Sequence, residues 1–152
     1  MGNKWELIHI SVIVRDIEKA IKYYESLGIG PFEGAGGGSG VVRAERTVRG
    51  KPAPDVKNIE KMAQLGPIKL ALVQPVAGNS LQKEWLEKYG AEGIDHIAFR
   101  VDNLQEETDK LIKKGFKVVQ SLKVGDGGLN FFDTDKVGGF MIELNQPPTK
   151  RP

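Results

Sequence analysis

The chain has 152 residues, enough for one compact domain with a sizeable core, and its 22 basic and 20 acidic residues leave a formal charge of +2. The charges are mixed rather than gathered into a basic stripe, which argues against a nucleic-acid partner. There are no cysteines, so disulfides and thiolate metal sites are excluded; no apolar run suits a signal peptide or a spanning helix, and a cytoplasmic protein with a small-molecule partner and no membrane contact is expected.

Residues 8–14 alternate, with Ile8, Ile10, Val12 and Val14 on one face and His9, Ser11 and Ile13 on the other, the pattern of a half-buried strand. A helix capped by Asp16 follows, with Ile17, Ala20, Ile21, Tyr24 and Leu27 as its apolar stripe and Gly28 as its stop. It should cover the aliphatic face and leave His9 on the other. The glycine run 34–40 leads into no helix and carries no phosphate-loop lysine, so it reads as a turn or lid. Residues 41–48 read as a strand, 49–54 as a turn-rich crossover, and 55–65 as a short helix with Val56, Ile59 and Ala63 inward, ended by Gly66-Pro67. The closing strand, 68–74, sets Leu70 and Leu72 against Lys69, Ala71 and Val73.

Ser80 can cap a linker helix running through Trp85 and Leu86 to Tyr89, stopped by Gly90. The strand 94–101 then puts His96, Ala98 and Arg100 on one face; Asp95 falls on the opposite one by parity and is not counted as a ligand. Asn103 and Glu106 begin a further helix with Leu104, Thr108, Leu111 and Ile112 buried. Strands follow at 116–122, 129–132 and 140–145, with Met141, Glu143 and Asn145 on one face of the last. Phe131, Phe132 and Phe140 read as core residues.

The second half repeats the first. At an offset of 87 positions His96 repeats His9, Val101 repeats Val14, Leu104 repeats Ile17 and Gly115 repeats Gly28. Ala71-Leu-Val-Gln-Pro75 returns as Glu143-Leu-Asn-Gln-Pro147. Two copies imply a pseudo-twofold pair rather than a solenoid. The expected fold is α+β: two βαβββ modules, at about residues 5–76 and 92–147 with a linker helix at about 79–90, forming one domain over 1–152. Their mixed sheet would curve into a barrel-like cup with the helices outside. His9, His96 and Glu143 collect on the face away from the helices, a nitrogen and oxygen set suited to zinc, iron(II), cobalt, nickel or manganese.

These features resemble the vicinal oxygen chelate superfamily, which includes glyoxalase I, bleomycin-resistance proteins, extradiol dioxygenases and methylmalonyl-CoA epimerase. The likeness is closest to the epimerase-like group, through Ala20-Ile-Lys-Tyr-Tyr-Glu-Ser-Leu-Gly28, the Leu-Val-Gln-Pro before Gly78-Asn-Ser80, and Gly93-Ile-Asp-His-Ile-Ala-Phe-Arg-Val-Asp102. It implies metal ligands at His9, His96 and Glu143, and a fourth at position 71, where this chain has Ala71. A methyl group coordinates nothing, which leaves either a three-ligand centre or a cavity working without metal. The implied activity is metal-assisted proton abstraction next to a carbonyl or acyl-CoA thioester by an epimerase, isomerase or lactoylglutathione lyase-like lyase, in a homodimer. Glu143 is one catalytic candidate. The resemblance puts a further glutamate on the 41–48 strand, where the gap-free match is Arg43 and Glu45 is the nearest carboxylate on the same face. Arg46, Arg49 and Lys51 are candidates for coenzyme A phosphates, although a solvated strand end is the simpler reading. The alternatives are a binding protein that sequesters a small molecule, as bleomycin-resistance proteins do, and an iron(II) dioxygenase, which the lack of a third histidine disfavours.

Overall fold

The computed structural model of the chain describes residues 2–34 and 45–150. β1 (Glu6–Ile13) leads through Asp16, whose side chain accepts from Lys19 N, into α1 (Ile17–Ser26). Then come β2 (Glu33–Gly34), β3 (Glu45–Val48), β4 (Lys51–Pro52), β5 (Lys57–Leu65) and β6 (Ile68–Ala77). α2 (Leu81–Tyr89), capped by Ser80, leads to β7 (Gly93–Arg100), and α3 (Leu104–Lys113) is capped by Asn103 as α1 is by Asp16. β8 (Val118–Val124), β9 (Gly127–Phe132) and β10 (Met141–Gln146) complete the chain.

Among the described residues the strands form one mixed sheet in the order β2-β5-β6-β1-β7-β10-β9-β8-β3-β4. β1 runs parallel to β6 and β7 parallel to β10, while β1 and β7 meet antiparallel at the centre. Each half thus repeats one arrangement about an axis between β1 and β7, as the 87-residue offset requires. The repeated Gln-Pro also acquires a physical role. Gln74 Oε1 accepts from Ile17 N at 3.0 Å and Gln146 Oε1 from Leu104 N at 2.8 Å, so in each half the last strand satisfies an orphan N–H of the helix.

α1 packs on the outer face through Ile17, Ala20, Ile21 and Tyr24 against Val14 and Leu72, and α3 through Leu104 and Leu111 against Val101, Phe132 and Leu144. Burying such a side chain stabilises by about 1.5–3 kcal/mol, and Leu72, Phe132 and Leu144 have no exposed surface. Leu27 and Ile112, expected on the buried stripes, are instead 60% and 51% exposed, Leu27 as the C-terminal cap of α1. A third cluster, with Leu81 and Trp85 of α2, Ala53 and Val56 of the crossover, and Ile13, Val73 and Met141, closes one end of the cup.

Two expectations for the first half are corrected. Residues 55–65 are not helical: β5 pairs antiparallel with β6 from Lys57↔Ala77 to Leu65↔Ile68. Gly66, at φ 60°, makes the tight turn that returns the chain. Val56, Ile59 and Ala63 fit a helical spacing, but pairing with a buried strand overrides a weak local signal. The second correction concerns the strand expected at 41–48. Its described part, β3, does not join the first half's sheet but adds to the far edge of the second through β8, from Glu45↔Lys123 to Val48↔Gln120. The crossover to β5 therefore spans the cup. Arg43 and the glycines at 36–40 lie outside the described residues.

Candidate metal centre and cavity

The central strand pair brings the histidines together. His9 lies opposite Ala98, and His96 opposite Ser11, so the two rings sit diagonally across the axis with a small residue facing each. Next to β7, Glu143 lies beside Ala98; next to β1, Ala71 lies beside Ser11. Glu143 and Ala71 are thus symmetry mates, one bearing a carboxylate and the other a methyl group. His9 Nε2 and His96 Nε2 are 3.1 Å apart, His96 Nε2 is 3.0 Å from Glu143 Oε2, and His9 Nε2 is 3.7 Å from it. Nitrogen and oxygen ligands bonded to one divalent ion at about 2.0–2.2 Å lie roughly 3.0–3.5 Å from one another. The separations of 3.0 and 3.1 Å fit such an ion, the third, at 3.7 Å, lies slightly beyond that range, and all three residues are buried.

The charges around the triad are divided unequally. Burial drives the His96 imidazole down, but the charge and hydrogen bonds of Asp95 and Glu143 outweigh it and hold His96 up at about 10. Burial also dominates at His9 and lowers it, with Glu143 opposing and His96 reinforcing the shift. Burial would raise Glu143, yet its hydrogen bond and charge pairing with His96, and the charge of His9, leave it below the usual carboxylate range. Asn145 Nδ2 donates to its Oε1 at 3.1 Å. Without metal, the surroundings favour the charged forms of Glu143 and His96 and the neutral form of His9.

Asp95 is not one of the three clustered residues but is tied to one of them. Parity sends it to the helix face, but its Oδ2 accepts from His96 Nδ1 at 2.7 Å and the residue has no exposed surface. The pairing of β1 with β7 shifts register between Ser11 and Val12, and the extra residue on β7 is Asp95. A bulge re-aims one side chain.

The triad opens into a cavity of about 480 Å³ inside the cup. Met62, Leu122, Leu129 and Phe131 give it apolar walls, and Arg46, Asn58, Glu60, Gln82 and Gln120 give it a polar one. Phe131 is both core and cavity residue, with its ring edge-on to His96 at 4.7 Å between centroids. Glu45, in contrast, is exposed on β3 and not among the lining residues. Glu60 of β5 is the carboxylate on the wall. Burial, then the charge of Glu143, pushes it up to about 7, with His96 opposing. Sequence reading missed Glu60 because it placed 55–65 in a helix; in a strand, Asn58, Glu60, Met62 and Gln64 share the cavity face by alternation. Of the phosphate candidates, Arg49 pairs with Glu84 at 2.7 Å and Lys51 is exposed, while Arg46 points Nη1 at Val56 O at 2.8 Å on the cavity wall.

The glyoxalase/bleomycin resistance protein/dioxygenase superfamily model matches residues 8–132. The human mitochondrial methylmalonyl-CoA epimerase is 28% identical over 151 residues, covering 95% of this chain and 77% of that protein. Among solved structures, the methylmalonyl-CoA epimerase of Mycobacterium tuberculosis superposes with a TM-score of 0.64 at 23% identity, covering 97% of this chain and 93% of its own. A methylmalonyl-CoA epimerase in complex with methylmalonyl-CoA and ammonium gives 0.64 at 22%, covering 97% and 99%.

Proposed function

We infer the function of this chain from the family to which it belongs, the glyoxalase/bleomycin resistance protein/dioxygenase superfamily, and from what its cavity walls can do chemically. The reaction is proton transfer at the carbon next to a carbonyl, as in an epimerase or isomerase, on a small acyl compound of the coenzyme A thioester class. The observation that carries this reading is Glu60, a carboxyl held at about 7 on the wall of the cavity into which Glu143 also projects. A base poised near neutrality takes up and returns a proton with little loss either way. The names of the epimerase relatives supply the substrate class.

His9, His96 and Glu143 would hold a divalent metal, which when bound supplies a Lewis acid for a carbonyl oxygen. Glu60 then removes the proton from the neighbouring carbon. Glu143, steadied by Asn145, stays ionised among the residues that would hold the metal, so removal and return of the α-proton both run through Glu60. Leu122, Leu129 and Phe131 keep bulk water from the reacting carbon. Glu60, on the cavity wall, takes the proton-transfer role in place of the exposed Glu45.

One observation favours a second reading, sequestration without catalysis. Ala71 stands where the internal repeat places Glu143, and a centre with one ligand fewer holds metal less tightly. Incubating the metal-loaded protein with acyl-CoA thioesters in deuterium oxide separates the two. The enzyme reading predicts exchange of the α-proton, and sequestration predicts binding with none.

A further inference from the structure

Ile8 and Asp95 occupy the same place in the two halves, each one residue before its histidine. Each is also the extra residue of a bulge between β1 and β7. The register passes from Leu7↔Phe99 to His9↔Ala98 over Ile8, and from Ser11↔His96 to Val12↔Ile94 over Asp95. The symmetry is kept in the backbone and broken in the side chain. Ile8 is half-buried and offers His9 no acceptor. Asp95 has no exposed surface, and its Oδ2 lies 2.7 Å from His96 Nδ1. Burying a carboxylate is costly, and Ile8 shows that the bulge itself does not require one. The carboxylate serves the ring beside it.

We propose that Asp95 is a positioning residue: by accepting the Nδ1–H of His96 it fixes that ring with Nε2 directed at His9 and Glu143, making His96 the anchored ligand of the centre and His9 the adjustable one. The proposal rests on the metal reading given above. The geometry supports it on both sides of the ring, with Asp95 at 2.7 Å from Nδ1 and Glu143 Oε2 at 3.0 Å from Nε2. Phe131 also packs edge-on against the same ring. His9 has the ring of His96 as its aromatic neighbour and, among the described residues, its one carboxylate partner, Glu143, lies on Nε2. Carboxylates that hold the far nitrogen of a ligating histidine set its orientation, and their removal weakens metal binding by about 10- to 100-fold.

The test is a cobalt(II) titration of the wild type, Asp95→Leu and Asp95→Asn, with proton spectra of the cobalt-loaded forms in water. There the ring N–H of each bound histidine is shifted clear of other signals. Asp95→Leu should bind cobalt about 10- to 100-fold more weakly, and Asp95→Asn, which keeps an acceptor, should fall between it and the wild type. The wild type should show one ring N–H in slow exchange with solvent and one in fast exchange. The slow signal should persist in Asp95→Asn and vanish in Asp95→Leu. Unchanged affinity in a folded Asp95→Leu protein overturns the proposal. So do two wild-type ring N–H signals that exchange alike, a result that needs no variant to fold. A wild type that binds no cobalt removes the metal reading and the role of Asp95 with it, whereas wild-type binding matched by Asp95→Leu removes the positioning role alone.

Discussion

Glu60 and Glu143 are carboxyls of one cavity that the surroundings push in opposite directions. Burial and the charge of Glu143 raise Glu60 to about 7, while His96 and His9 hold Glu143 low. Such a split assigns roles, with one group exchanging protons near neutrality and the other ionised throughout. Glu60→Gln should therefore lower α-proton exchange by about 10²- to 10⁴-fold. Exchange by the wild type should rise with pH through about 7, since the base must be ionised. Stability moves the other way. The native Glu60 lies above its unfolded value of 4.5, so its contribution is unaffected below that and falls as pH rises to about 7. At pH 8 Glu60→Gln should be the more stable protein by up to about 3 kcal/mol in urea unfolding. His96 gives a second prediction. Held at about 10 without metal, it must release a proton on metal binding, so calorimetry in buffers of different ionisation enthalpy should show uptake of that proton by buffer. Affinity should rise about tenfold per pH unit around neutrality. His9, His96 and Glu143 were legible because the repeat singled out the same strand place twice. Glu60 and Asp95 were not: one lay in a segment read with the wrong period, the other in a bulge that alternation cannot register.

At the scale of elements, the helices and their caps follow from local chemistry: Asp16, Ser80 and Asn103 each accept an N–H three residues on. The strands of the second half were legible for a similar reason, their turns being marked by glycines. Gly127 is one where space decides. A Cβ there would press on Gln146 O and come within 2.6 Å of Pro148 N and 2.8 Å of Pro147 C. These are backbone atoms with little room to move, so Gly127→Ala should destabilise by about 1–3 kcal/mol, read by chemical denaturation. The β5 hairpin was harder to read. Its residues satisfy a helical spacing as well as an alternating one, and the partner that settles the matter, β6, is supplied by the turn at Gly66. β3 was illegible in a different way. Its four residues form a strand wherever a free edge is offered, and the edge it takes belongs to β8, more than seventy positions along the chain.

At the scale of the molecule, the pseudo-twofold axis between β1 and β7 explains why a site exists at the centre. It places two copies of one histidine position within hydrogen-bonding distance and brings the two closing strands alongside. The cup around them comes from both halves, and the crossover from β3 to β5 closes it. The overall fold was legible because repetition at a fixed offset constrains topology more strongly than any single segment does. Where the symmetry is broken, at Ala71 against Glu143 and Ile8 against Asp95, the chain departs from a symmetric four-ligand centre. Restoring the first pair with Ala71→Glu should tighten metal binding, measured by competition with a chelator, to below the dissociation constant of the wild type. The most direct test of the whole account is metal stoichiometry by cobalt(II) titration of the metal-free protein beside His96→Ala. One cobalt per chain, lost in His96→Ala, is the predicted result. No binding by the wild type, or equal binding by His96→Ala, would contradict the assignment of His9, His96 and Glu143 as a metal centre.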